Sequence, residues 1–260
     1  MTKLSKAFEN KKAFIAFLTA GDPDLATTEK LIFEMVNNGV DLIEIGIPFS
    51  DPIAEGTVIQ EADIRSLASG TTTEKIFDLV EKIRPRIDIP LVFMTYCNVV
   101  FGYGTEKFMQ RCSQIGIDGI IIPDVPYEEK QELQPYTQKY GIELVSLVAP
   151  TSHDRIKNIA GDAEGFLYVV SSLGVTGVRS EIKTDIGELV SLAKSVSDIP
   201  CAVGFGISTP EQAADMCRKA DGVIVGSAIV RIIAKYGKDS VQYVGEYIKS
   251  MADACHSISI

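Results

Sequence analysis

Three carboxylates, Glu44, Asp51 and Glu55, fall within the twelve residues 44–55 of the stretch EIGIPFSDPIAEG. Glu44 is the most informative. Leu42, Ile43 and Ile45 surround it in a run of β-formers that ends at Gly46. A carboxyl on a strand among apolar side chains loses its hydration. That raises its pKa and makes it a candidate acid–base group near neutral pH. The plainer alternatives are a buried Glu satisfied by a neighbour, or one at a wet strand end. A lone buried carboxylate is costly, which favours a chemical role.

Glycine-rich fragments form a second group. GFGIS (204–208) and VGSAIV (225–230) each place glycine where an apolar run gives way to a helical pattern. Glycine lets backbone N–H groups approach an anion, and a helix opening at Ser227 would favour negative charge at its N-terminus. GVTG (174–177) could supply a third side. Tight turns alone would also explain these glycines. Phe17, Met94, Tyr96, Phe166 and Phe205 could face a flat apolar ring, or could equally be core.

Some chemistries lack the residues they need. The two histidines, His153 and His256, form no cluster, which argues against a transition-metal site. No lysine stands at the end of a β-like run, which argues against a Schiff base. No G-x-G-x-x-G follows the first run. Carboxylate acid–base chemistry on a phosphate-bearing ligand is what remains.

Such residues need a frame. Eight β-rich runs recur, at 13–21, 41–46, 89–96, 118–124, 143–150, 165–172, 199–206 and 221–227. Several are apolar without alternation, as in parallel strands covered on both faces. Helical patterns lie between them, near 24–39, 73–84, 106–116 and 210–220. NNGVDLIEIG, SQIGIDGIIIPD and KYGIELVSLVAP repeat one helix–Gly–strand junction. This predicts an α/β fold, a (β/α)8 TIM barrel over residues 1–260 as a single domain. It carries a short N-terminal helix and an extra helical insertion, TVIQEADIRSLASG (57–70), after strand 2. A doubly wound open sheet is the alternative. In a barrel, chemistry sits at the C-terminal strand ends, and phosphate is held after strands 7 and 8. Glu44, Gly206, Gly226 and Ser227 all fall at such places. Residues 171–184, rich in Gly and Ser, are read as a lid loop.

The bulk composition agrees. In 260 residues, 46% are apolar, which allows a large core, and the net charge of −10 argues against nucleic acid. Five cysteines without C-x-x-C pairing read as buried thiols in a reducing cytoplasm. No apolar run reaches the ~18 residues of a membrane helix. AFIAFLTAG runs directly into GDPD, without the pattern of a signal cleavage site.

FLTAGDPD (17–24), DLIEIGIPFSDPIAEG (41–56), MTYCN (94–98), PDVP (123–126), GVTG, GFGIS and DGVIVGSAIV (221–230) together resemble the tryptophan synthase α subunit family, in order along nearly the whole chain. The resemblance implies cleavage of indole-3-glycerol phosphate to indole and glyceraldehyde 3-phosphate. It implies an αββα heterotetramer with a β subunit that carries pyridoxal phosphate, and no cofactor in this chain. Glu44 matches the catalytic glutamate that shuttles protons. Gly177, Gly206, Gly226 and Ser227 match the phosphate site. Phe17, Tyr96, Tyr168 and Phe205 match the ring pocket and its surroundings. Thr176 matches a lid threonine. Asp51 and Pro126 lie in stretches that resemble those facing the β subunit. One position departs: Glu55 stands where the family usually has a second catalytic Asp. Glu keeps the charge but adds a methylene, so either the loop shifts to accommodate it or activity without the partner is weak. A stand-alone lyase and a poorly catalytic activating subunit are the other readings.

Overall fold

In the computed structural model, which describes residues 3–150, 153–170, 186–204 and 206–260, the eight apolar runs become nine parallel strands. They are β1 (Ala13–Thr19), β2 (Leu42–Gly46), β3 (Leu91–Met94), β4 (Gly119–Ile121), β5 (Glu143–Leu144), β6 (Ser146–Val148), β7 (Leu167–Val170), β8 (Cys201–Gly204) and β9 (Gly222–Val225). The extra strand corrects the expected count. The fifth run is divided at Val145, so Glu143–Leu144 pairs with β4 and Ser146–Val148 pairs with β7. The sheet order β5-β4-β3-β2-β1-β9-β8-β7-β6 therefore closes into a barrel through the chain at Val145.

Helices alternate with the strands: α1 (Leu25–Asn37), α2 (Thr57–Ala68), α3 (Thr73–Ile83), α4 (Cys97–Tyr103), α5 (Thr105–Ile115), α6 (Gln134–Tyr140), α7 (His153–Gly161), α8 (Ile186–Lys194), α9 (Pro210–Cys217), α10 (Ser227–Tyr236) and α11 (Ser240–His256). The expected insertion after the second strand is α2, and the short N-terminal helix is a 3₁₀ turn over Leu4–Phe8. Asp24 begins α1 by accepting a hydrogen bond from the Thr27 amide at 2.7 Å. The repeated helix–Gly–strand junctions reverse at Gly39, Gly116 and Gly141, with φ of 94°, 79° and 67°, a conformation other residues reach only with strain.

Side chains alternate across the barrel wall. Phe14, Ala16 and Leu18 of β1, with Ile43 and Ile45 of β2, pack outward under the helices. Ala13, Ile15, Leu42 and Val92 point inward, where Leu4 and Ala7 of the N-terminal turn plug the bottom. An aspartate just before a strand latches its neighbour at that end. Asp41 accepts from the Phe14 amide at 2.8 Å, Asp118 from Leu91 at 3.1 Å and Asp221 from Cys201 at 2.8 Å. His256 of α11 also reaches Asp41, at 2.8 Å, and ties the last helix to the barrel floor. Among the described residues no helix is long and apolar enough to cross a membrane. All five cysteines are free. Cys112, Cys201, Cys217 and Cys255 are buried, but Cys97 is only half-buried, because it opens α4 at the barrel's upper rim.

Candidate active site

At the upper end of the barrel the inward side chains leave a cavity of about 300 Å³. Glu44 projects into it from β2 with 1% of its surface exposed, and neither carboxylate oxygen has a hydrogen-bond partner among the described residues. Burial pushes its pKa up to about 8, and the negative charge of Glu55 adds to this. Glu55 enters the same cavity from the loop after β2, and burial raises its pKa to about 7, partly offset by the Tyr96 hydroxyl. Tyr168, inward on β7, also lines the cavity. Burial, and then the two glutamates, hold its phenol well above the ordinary value.

The loop that carries Glu55 is gripped from both sides. The Tyr96 hydroxyl accepts a hydrogen bond from the Ala54 amide at 3.0 Å, and its ring stacks on Phe49 with centroids 5.3 Å apart. Gln60, one turn into α2, donates to the Glu55 carbonyl at 2.8 Å. The insertion helix is itself fixed to the end of β1. Arg65 makes two 2.8 Å bonds to the buried Asp22, and the Ser66 hydroxyl donates to the Ala20 carbonyl at 2.6 Å. Strand end, loop and helix thus form one rigid support for a carboxylate.

Phe17, the register partner of Glu44 on β1, forms an apolar wall beside it. Its ring lies so close to Gly46 that a Cβ there would stand 2.7 Å from it, and a Cβ at Gly226 would stand 3.1 Å from it. The far end is the start of α10, where Gly226 and Ser227 line the cavity at a helix N-terminus, together with Gly206 after β8. Exposed N–H groups and the helix dipole suit an anion there.

The structure therefore brings Phe17, Glu44, Glu55, Tyr168, Gly206, Gly226 and Ser227 together around one cavity. Tyr96 is separate. It is buried behind the Glu55 loop and supports that loop instead of lining the space. Thr176, Gly177 and Phe205 lie outside the described residues, as does the stretch read as a lid. Asp51 is exposed and bonds to the Ser50 hydroxyl, beside Ile53, which is 75% exposed. Asp124, the last residue of the run read at 118–124, accepts from the Cys97 amide at 3.0 Å and so anchors α4. Sequence reasoning missed Thr57 and Ile59 of α2, Gln212 and Arg231, all of which line the cavity. For the first two the signal was their place within one helical turn of Glu55. For Arg231 it was its spacing of four from Ser227, which puts both on one helix face. Among the described residues no group of His, Cys, Asp and Glu could hold a metal ion.

The model of the tryptophan synthase alpha chain family matches residues 4–256. The chain belongs to the tryptophan synthase alpha chain family. It is 46% identical to the tryptophan synthase alpha chain of Lacticaseibacillus casei, over 100% of this chain and 99% of that protein. It is 48% identical to that of Lactiplantibacillus plantarum, over 98% and 96%. Among solved structures, tryptophan synthase subunit alpha from Legionella pneumophila superposes with a TM-score of 0.87 at 35% identity, covering 99% of this chain and 100% of that one. A chain of the tryptophan synthase complex from Pyrococcus furiosus superposes at 0.85 with 33% identity, covering 94% and 99%. The barrel expected from the sequence is thus the family's own fold.

Proposed function

We propose that this chain cleaves indole-3-glycerol phosphate to indole and glyceraldehyde 3-phosphate in the cytoplasm, within an αββα complex. Its β subunit carries the pyridoxal phosphate and receives the indole. The observation that carries this reading is Glu44, a carboxyl on a strand without a hydrogen-bond partner among the described residues, lining one cavity with Glu55 and with the helix N-terminus at Gly226 and Ser227.

Glu44 has the protonation state the reaction needs. With a pKa near 8 it holds a proton at neutral pH and can give it to indole C3. The Glu44 carboxylate so formed takes the proton of the glycerol hydroxyl next to the ring. The carbon–carbon bond then breaks, its electrons restore the aromatic ring, and the hydroxyl carbon leaves as an aldehyde. Glu44 ends as it began. Ionised Glu55 would stabilise the positive charge that develops at the indole N–H. Phe17 gives the ring an apolar wall, and Gly206, Gly226 and Ser227 would receive the phosphate.

The loop contacts favour a usable position for Glu55, which stands where the resemblance implies an Asp. The Tyr96 hydroxyl and Gln60 set the backbone on either side of it, and the carboxylate lines the cavity. That supports a working lyase over a subunit kept mainly for activation. Asp51 and the exposed Ile53 would face the β subunit.

The test is indole release by the purified chain, alone and with a β subunit, beside Glu44→Gln. Release that β stimulates, and that falls by about 10²–10⁴ in Glu44→Gln, is the expected result. A Glu44→Gln variant with undiminished release would end this reading.

A further inference from the structure

The active-site cavity holds a charge problem. Two glutamates line it, the chain carries a net charge of −10, and the proposed substrate brings a phosphate dianion. Backbone amides at Gly226 and Ser227 can bind phosphate, but they carry no formal charge. Among the described residues that line the cavity, the single lysine or arginine is Arg231.

Its position fits a purpose. Arg231 lies in the second turn of α10, four residues after Ser227, so the two share a face of the helix. Helical side chains lean toward the N-terminus, which carries the guanidinium over the turn that opens at Gly226 and Ser227. Arg231 is exposed at the cavity rim and makes no hydrogen bond or ion pair with any described residue. Other arginines of the chain are committed: Arg65 to Asp22, Arg111 to Glu81, Arg155 to Glu128 and Arg218 to Asp215. An arginine without a partner among the described residues, beside a helix N-terminus in an acidic chain, is suited to an oxyanion.

We propose that Arg231 is a specificity-determining residue that binds the substrate's phosphate by a charge-assisted contact. It would select a phosphate ester over its dephosphorylated analogue and orient the indole end toward Glu44. This rests on the lyase reading above for the identity of the substrate, but not for the anion.

The experiment compares the wild-type complex with β against R231M and R231K. It follows kcat and KM for indole-3-glycerol phosphate, with inhibition by inorganic phosphate and, separately, by indole. A charge-assisted bond implies that R231M raises KM, and weakens phosphate inhibition, by about tenfold to a hundredfold. Inhibition by indole stays as in wild type, kcat changes far less than KM, and R231K recovers part of the loss. Unchanged KM and unchanged phosphate inhibition would overturn the assignment while leaving the lyase intact. Equal weakening of phosphate and indole would overturn it too, by showing a general disturbance. A wild-type complex that fails to cleave the substrate, yet loses phosphate affinity in R231M, would remove the lyase reading and keep Arg231 as the anion site.

Discussion

The Tyr96 hydroxyl takes the Ala54 amide as its donor, at 3.0 Å, and so fixes the residue before Glu55 from outside the cavity. A tyrosine outside the cavity lining thereby helps to set where the Glu55 carboxylate stands. Tyr96→Phe keeps the stack on Phe49 and deletes the hydroxyl, which accepts from the Ala54 amide and holds down the pKa of Glu55. The lost hydrogen bond predicts about 1 kcal/mol less stability. A loosened carboxylate predicts a kcat loss of about tenfold or more, with KM little changed. Steady-state kinetics and a melting curve on the same preparation separate the two. Equal kcat in variant and wild type would mean that the loop needs no such support.

Replacing Glu55 by Asp shortens the side chain by one methylene. Gln60 and Tyr96 hold the loop on both sides, so the carboxylate withdraws by a methylene and the chain does not follow. A displacement near 1 Å predicts a fall in kcat approaching 10²-fold. An Asp variant as fast as wild type, alone and with β, would show that the loop adjusts freely.

The pH dependence of kcat/KM follows from the two cavity acids. Glu55 must be ionised and titrates near pH 7, whereas Glu44 must be protonated and titrates near pH 8. Activity should therefore rise through pH 7 and fall beyond pH 8, giving a narrow bell whose limbs belong to the interacting pair. A rate that stays flat from about pH 6 to about pH 9 would contradict these roles.

Asp63 on α2 is a third buried acid, outside the cavity lining. Burial, then the charges of Glu55 and Asp22, push its pKa up to about 8, although the Phe49 amide opposes the shift. The folded protein thus binds this proton more tightly than the unfolded chain, whose carboxyl titrates near 3.8. Folding is helped fully below that lower value, and the help is lost as pH rises toward 8. Asp63→Asn should melt several degrees higher than wild type at pH 8, and the gap should close near pH 4. A gap independent of pH would show that Asp63 is not the group responsible.

How much of this was legible in the sequence differs from residue to residue. Glu44 announced its burial, because a strand's neighbours along the chain are also its neighbours in the wall. The junctions at Gly39, Gly116 and Gly141 were readable because positive φ is a local demand. Asp63 was not readable. EADIR looks like a wet helix, and burial of its aspartate depends on α2 docking against β1, a long-range event held by Arg65 and Asp22. Tyr96 was placed at the correct strand end, but whether its hydroxyl met a ligand or a loop depended on the path of residues 47–56. The division at Val145 left no mark in the apolar run ELVSLVAP, since both halves remain good strand.

That division makes the barrel a bracelet with a clasp. Elsewhere each strand bonds to neighbours on both sides, but here 143–145 bonds only toward β4 and 146–148 only toward β7. The circle is completed at this point by covalent chain. A hoop of uniform strength has no preferred place to part, and this one does. The gap widens into a second space of about 310 Å³, bordered by Val145, Ser146 and Leu147 on one side and by Pro126 on another. Breathing of the barrel would be concentrated there, across the mouth from Phe17 and Glu44, so the wall that carries Glu44 can stay still while the opposite wall gives.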